Sequence, residues 1–189
     1  MNLSKTQEIV FSHRRTQLPP LIPGIERVLF LKILGVVVDD KLTFQSHVAD
    51  TVKCCNQSFF VLRTLHHQGL SDDSLKLIFV SKILSKLTYA SPAWWGFASA
   101  ASRDQLEAVL RKARKFNYYS SNQANFSEIA QTHDYKLFRS IIEDPHHSLH
   151  PLLPPLKQTI YNLRHRGHDY SLPGKDDRNF INRAKFAFI

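Results

Sequence analysis

Between Val28 and Val48 the sequence reads VLFLKILGVVVDDKLTFQSHV, and its hydrophobic period changes partway along. The first half is apolar and β-branched through Val36, Val37 and Val38, and it stops at Asp39-Asp40. From Phe44 onward the apolar residues recur at helical steps. A period of about two marks a strand and one of about 3.6 a helix, so a strand here hands over to a helix. Gly35 interrupts the strand pattern, as glycine does at a bulge or where another backbone comes close. This switch sets the order of the chain: short extended elements before it, helices after it.

Upstream, Glu8 to Ser12 reads as a short strand and His13 to Gly24 as a loop with Pro19, Pro20 and Pro23. Val28 to Val38 reads as one strand, or as two broken at Gly35. The N-terminal fifth is therefore expected to be a small antiparallel β element. Downstream, Phe44, Val48, Val52, Cys55, Phe59 and Leu62 line one face of a helix over Phe44–Leu65 that Gly69 ends. Ser71 is a good N-cap for a second helix, with Asp72 and Asp73 complementing its dipole. Leu75, Ile78, Phe79, Ile83, Leu84 and Leu87 form its apolar face, and Pro92 is expected to end it by Ser91. Trp94, Trp95 and Phe97 read as core packing in a connection. A third helix is expected from Ser102, with Ser102 and Gln105 as capping box. It carries Leu106, Val109, Leu110 and Ala113 inward. A fourth helix falls between Ser127 and Glu143. The result is a mainly α fold in three segments: 1–42 extended, 43–143 helical, and 144–189 a basic, Pro- and His-containing tail expected to be irregular.

The net charge of +9 favours a polyanionic partner. The two cysteines, Cys54 and Cys55, are adjacent, which leaves no disulfide framework and fits a reducing compartment, nucleus or cytoplasm. The first residues lack the pattern of a secretory signal, and no apolar run is long enough to span a bilayer, so no membrane partner is expected.

Candidate chemistry is sparse. Asp39-Asp40 follows an apolar strand, as metal-binding carboxylates of a polymerase do, but no second acidic strand end precedes it. Asp72-Asp73 is explained by the helix start, and Asp176-Asp177 sits in a basic loop. His146, His147, His150, His165 and His168 lack a cysteine or acid to complete a zinc pattern. There is no Gly-x-Ser-x-Gly elbow and no Gly-rich phosphate loop. The best site is the run Arg111, Lys112, Arg114 and Lys115, which is too dense to face inward and is suited to successive phosphates.

Several stretches, in order, resemble the end of the reverse-transcriptase region of non-LTR, LINE-type (jockey-like) retrotransposons. Asn2 to Thr6 is similar to the family's L-N-x-x-K-T segment. Gly24 to Val28 resembles its I-x-G-x-x-I-E-R-V linker. Lys32, Leu34, Gly35 and Val36, followed by Asp39, Leu42 and Phe44, resemble its K-x-L-G-V strand and the turn into the thumb. Leu62-Arg63 and Leu65 match a helix end, F-L-R-x-L. Leu87 with Tyr89 to Trp94 resembles L-x-Y-A-S-P-V-W, the longest and most specific of these motifs. Leu106-Glu107 and Arg111-Lys112-Ala113 resemble L-E-x-x-Q-R-R-A, with Leu110 where glutamine is usual. Asn162-Leu163-Arg164 and Asn179 to Arg183 are similar to the family's C-terminal end.

The resemblance implies residual palm strands, a helical thumb and a basic tail. It implies that Lys5 corresponds to a general acid for the departing pyrophosphate, and that Lys32, Leu34 and Gly35 belong to a strand gripping the primer terminus. It places the catalytic Asp-Asp hairpin, the earlier acidic strand, the fingers and most of the palm before Met1. The expected chain is thus a truncated piece of a magnesium-dependent, RNA-directed DNA polymerase. It lacks the metal-holding carboxylates, needs no cofactor itself and is not an enzyme on its own. Its expected partners are the primer-template backbone, bound weakly and salt-sensitively, and the absent palm and fingers. Two alternatives stand beside it: a protein-interaction module, and a non-functional transposon relic.

Overall fold

The computed structural model describes residues 3–12, 18–156, 170–171, 174 and 176–187. They are mainly helical, with short strands in two small sheets. The chain divides into two units, Met1–Leu87 with Ala98–Ser120, and Thr88–Phe97 with Ser121–Ile189. The central helical segment of the sequence contributes to both.

In the first unit, β1 (Gln7–Glu8) pairs with β2 (Glu26–Arg27), and the pairing is parallel. The strand expected over Glu8–Ser12 is thus earlier and shorter, and this part of the N-terminal element is not antiparallel. Side chains explain the arrangement. Arg27 Nε donates to Glu8 at 2.7 Å, while its other nitrogens donate to the carbonyls of Pro19 and Pro20 at 2.9 and 3.0 Å. One guanidinium ties the proline loop to the strand pair. Ile22 to Ile25 closes a turn with Pro23 and Gly24 at its centre, Gly24 at φ 79°. That is the type II pattern, where only the second central residue needs positive φ.

β3 (Phe30–Ile33) and β4 (Val36–Asp39) pair antiparallel, with Ile33 opposite Val36 and Phe30 opposite Asp39. Leu34 and Gly35 form the turn, both at positive φ, 48° and 90°. Gly35 is therefore the second residue of a two-residue hairpin turn of the I′ kind, not a bulge.

α1 (Gln45–His67) buries His47, Val48, Thr51, Cys55, Phe59 and Leu62. It ends in a Schellman motif. Leu70 N–H bonds Leu65 C=O at 3.1 Å, Gly69 N–H bonds His66 C=O at 3.0 Å, and Gly69 is left-handed at φ 88°. Ser71 caps α2 (Asp72–Ile78) through its side chain. A π-helical stretch (Phe79–Leu84) and α3 (Ser85–Thr88) continue the same rod. Leu75, Phe79, Ile83 and Leu87, all buried, recur every four residues. In an α-helix of about 3.6 residues per turn such a row drifts round the axis. The wider π turns wind more slowly and bring it back to one face. α5 (Ala100–Lys115) starts at an N-cap on Ser99, which accepts from Ser102 N–H, so the expected Ser102 cap is displaced by one turn. Leu106, Val109, Leu110 and Ala113 are buried, as the periodicity indicates. Tyr118 and Tyr119 follow and pack on Phe59 and Phe79, ring centroids 6.3 and 5.6 Å apart.

In the second unit, Pro92 does not end a helix but opens one. The rod stops at Thr88, Ala90 turns at φ 50°, and α4 (Ser91–Trp94) begins with Pro92 in its first turn, where its missing N–H costs nothing. Trp94 and Trp95 pack on Phe126, centroids 6.1 and 5.1 Å away, which bears out the core-packing reading. α6 (Phe126–Glu143) carries a capping box of Asn125 and Glu128. The tail is not wholly irregular: α7 (Phe180–Ala187) packs against α6. Its Arg183 forms a buried bidentate pair with Asp134 of α6, at 2.7 and 3.1 Å, and also donates to the carbonyls of Pro92 and Asp177. Gly96 makes room for this, since a Cβ there would stand 2.0 Å from an Arg183 nitrogen. Lys157, Arg164, Arg166, His165, His168, Asn162, Leu163 and Lys175 lie outside the described residues. Among the described residues no helix is long and apolar enough to cross a membrane.

Candidate nucleic-acid interface

The hairpin of β3 and β4 presents Lys32, Leu34 and Gly35 to solvent, and Leu34 is 87% exposed. Leu29, Phe30 and Ile33 beside them are exposed too. The far end of the hairpin is held by Asp39. Its buried carboxylate accepts from Lys41 N–H at 3.0 Å, Thr43 N–H at 2.9 Å, the Thr43 hydroxyl at 2.8 Å and Phe44 N–H at 2.8 Å. Burial works to raise its pKa, but these hydrogen bonds outweigh burial and hold it below the ordinary carboxylate value. Leu42 and Phe44 are both left-handed, at φ 54° and 55°. Non-glycine residues there cost about 1–2 kcal/mol each, and the four bonds to Asp39 offset that. The carboxylate is a turn anchor, which leaves it no lone pairs aimed at a metal.

Beneath the hairpin, Val37 N–H donates to Nδ1 of buried His47 at 3.4 Å. Burial first, then the charge of Lys86, pushes the His47 pKa down, against a smaller pull from Asp50. The imidazole joins the hairpin to α1 in its neutral form.

The four cations of α5 are not equivalent. Arg111 reaches Asp104 at 3.0 Å and is exposed. Lys112 leans on α1, donating to Asn56 at 2.8 Å and lying 4.8 Å over the Phe59 ring. Arg114, half-buried, pairs with Glu107 at 2.9 Å and covers Tyr119. Lys115 is exposed at the helix end. Arg111 and Lys115, four residues apart, share the outer face. Alongside, Ala49, Val52, Lys53, Asn56, Gln57 of α1 and Gln105 of α5 line a groove of about 630 Å³. Lys53, Asn56 and Gln57 carry no signal in the sequence analysis, and Gln105 enters it only as part of a helix cap. Lys5 is exposed at the end of the turn Leu3–Lys5, next to β1 and not on the hairpin sheet.

Among the described residues no three His, Cys, Asp or Glu side chains are placed to hold a metal ion. His147 instead accepts from Leu149 N–H at 3.1 Å. Cys55 is buried with its thiol pKa raised to about 11 by burial, and Cys54 is exposed. Ser91 Oγ and His133 Nδ1 meet at 3.1 Å, but Ser91 is wholly buried and Asp134 is turned to Arg183, so no accessible nucleophile results. Comparison with protein-family models, with curated proteins and with solved structures finds no match in any of the three.

Proposed function

We propose that this chain is the part of a LINE-type reverse transcriptase that follows the catalytic hairpin, and that it binds the primer-template backbone weakly and without sequence preference. In this reading the first unit corresponds to the last palm strands and the thumb, Lys5 to the family's general acid, and magnesium to carboxylates supplied by the absent palm. No polymerase chemistry is assigned to the chain by itself, and it works in the nucleus or cytoplasm. The observation that supports it best is the hairpin, which exposes Lys32, Leu34 and Gly35 while Asp39 locks its other end into the turn before α1. The residues of the K-x-L-G-V…D…L-x-F resemblance fall on this hairpin and the turn after it. In the groove that Ala49 and Val52 also line, Lys53, Asn56, Gln57 and Gln105 add donors suited to phosphate and sugar contacts, which position without reading sequence.

Fluorescence anisotropy with two unrelated oligonucleotides tests this. Equal affinities are expected, and Lys32→Glu should weaken both several-fold. A strong preference for one sequence, or indifference to the Lys32 charge, overturns the assignment.

A second reading, a protein-interaction module, is favoured by one observation: Leu18, Leu21, Ile22, Leu29, Phe30, Ile33 and Leu34 are all exposed in the N-terminal segment. A concentration-dependent mass in sedimentation, unaffected by salt, would favour it.

A further inference from the structure

Arg63, His66 and His67 stand at positions i, i+3 and i+4 of α1, so they share one helix face. With Asp72 at the start of α2, and Phe116 and Tyr118 just past α5, they line a cleft of about 230 Å³. We propose that this cleft is a proton-gated site for a phosphate group, and the inference rests on the nucleic-acid reading above for the source of that phosphate.

The walls divide the work. Arg63 lies 5.9 Å over the Phe116 ring, a contact that restrains its planar fork in the cleft wall. A guanidinium so held offers paired N–H donors that match phosphate oxygens. Phe116 is partly exposed and provides a face on which a base or sugar can rest. Tyr118 is buried and lines the cleft. Burial raises its pKa, with Arg63 opposing and Asp72 adding to the rise, so it stays a neutral hydroxyl.

The gate is Asp72. Its carboxylate stands 3.8 Å from His66 Nε2. Asp73, the next acid, is turned to Lys76 at 3.3 Å, and Lys115 is exposed in the last turn of α5. With both imidazoles neutral, Arg63 and Asp72 cancel and an anion gains little. Once protonated, His66 neutralises Asp72, and His67 and Arg63 are left to face the anion. Histidine is in general the side chain whose charge changes in the range from about pH 8 to about pH 5. A phosphodiester keeps its charge over that range, so a change in its affinity reports the protein.

The test is binding of a short single-stranded oligonucleotide, read by anisotropy at roughly pH 8 and roughly pH 5.5 at one salt concentration. The intact chain should bind about tenfold or more tightly at the lower pH. His66→Gln with His67→Gln should remove that step. Asp72→Asn should raise the higher-pH affinity toward the acid value. These side chains are exposed, so circular dichroism should show an unchanged fold. In parallel, inorganic phosphate is titrated while the imidazole ring protons are followed by NMR. Persistence of the pH step in the double glutamine variant overturns the proposal while nucleic-acid binding stands. Imidazole shifts with inorganic phosphate and no oligonucleotide binding keep the phosphate site and remove the nucleic-acid reading. No response to either ligand overturns both.

Discussion

Each unit of this protein is fastened by one buried carboxylate, and the two do it by opposite means. Asp39 in the first unit spends its oxygens on backbone and hydroxyl donors from Lys41, Thr43 and Phe44, all within five residues. Asp134 in the second spends both on Arg183, 49 residues away. A local anchor shapes a turn and can form as soon as that turn forms. A distant anchor closes a long loop, and its partner must bring elements together first. The first device sets where a hairpin meets a helix; the second sets whether α4, α6 and α7 make one body.

The largest effect that would sharpen this contrast is expected from Arg183→Met. It strands a buried Asp134 charge and should cost about 3–5 kcal/mol in denaturant unfolding. Adding Asp134→Leu should recover part of that loss. A loss below about 1 kcal/mol would mean that the pair is a surface contact and the contrast false. Asp39→Asn comes next, with about 1–3 kcal/mol lost, because the amide offers one acceptor where the carboxylate offers two. Amide hydrogen exchange should quicken at Lys41, Thr43 and Phe44 and stay unchanged in α6 and α7.

The smallest effect is one of pH. Asp39 and His47 both have folded-state values below their ordinary 3.8 and 6.5. Stability from a lowered pKa is present above the ordinary value and is lost as pH falls through the lowered one. Both groups therefore weaken the first unit on acidification, His47 beginning below 6.5 and Asp39 below 3.8. His47→Gln should remove the earlier loss in a thermal-midpoint profile; an unchanged profile would show that the imidazole is not held neutral.

The same contrast explains what could be read in advance. The α1 and α5 faces and the Ser71 cap are local patterns, and the structure places them where the periodicity does. Two strands broken at Gly35 is one of the two readings the sequence offers, and the β3–β4 hairpin bears it out; the turn type is not legible, because leucine rarely accepts positive φ. Pro92 was assigned to a helix end because proline at a boundary serves either side, and only the turn at Ala90 decides. Parallel pairing of β1 with β2 and the Asp134–Arg183 tie join residues far apart in sequence, where no spacing rule operates. Of the candidate site, the basic run of α5 was legible. The pairing of Arg111 with Asp104 and of Arg114 with Glu107, which takes part of it out of play, was not. Arg63, His66 and His67 carry a readable signal in their helical spacing, of which the sequence analysis takes up only Arg63, as part of a helix-end motif.

The most direct measurement is the salt dependence of oligonucleotide affinity for the intact chain. Backbone binding predicts that log K falls linearly with log salt, by about 0.7 per phosphate neutralised on a single strand. Replacing the exposed Arg111 and Lys115 by glutamine should flatten that slope by about one such increment or more without changing the fold. An affinity indifferent to salt, or a slope untouched by removing those charges, would contradict the claim that this chain binds nucleic acid through its first unit.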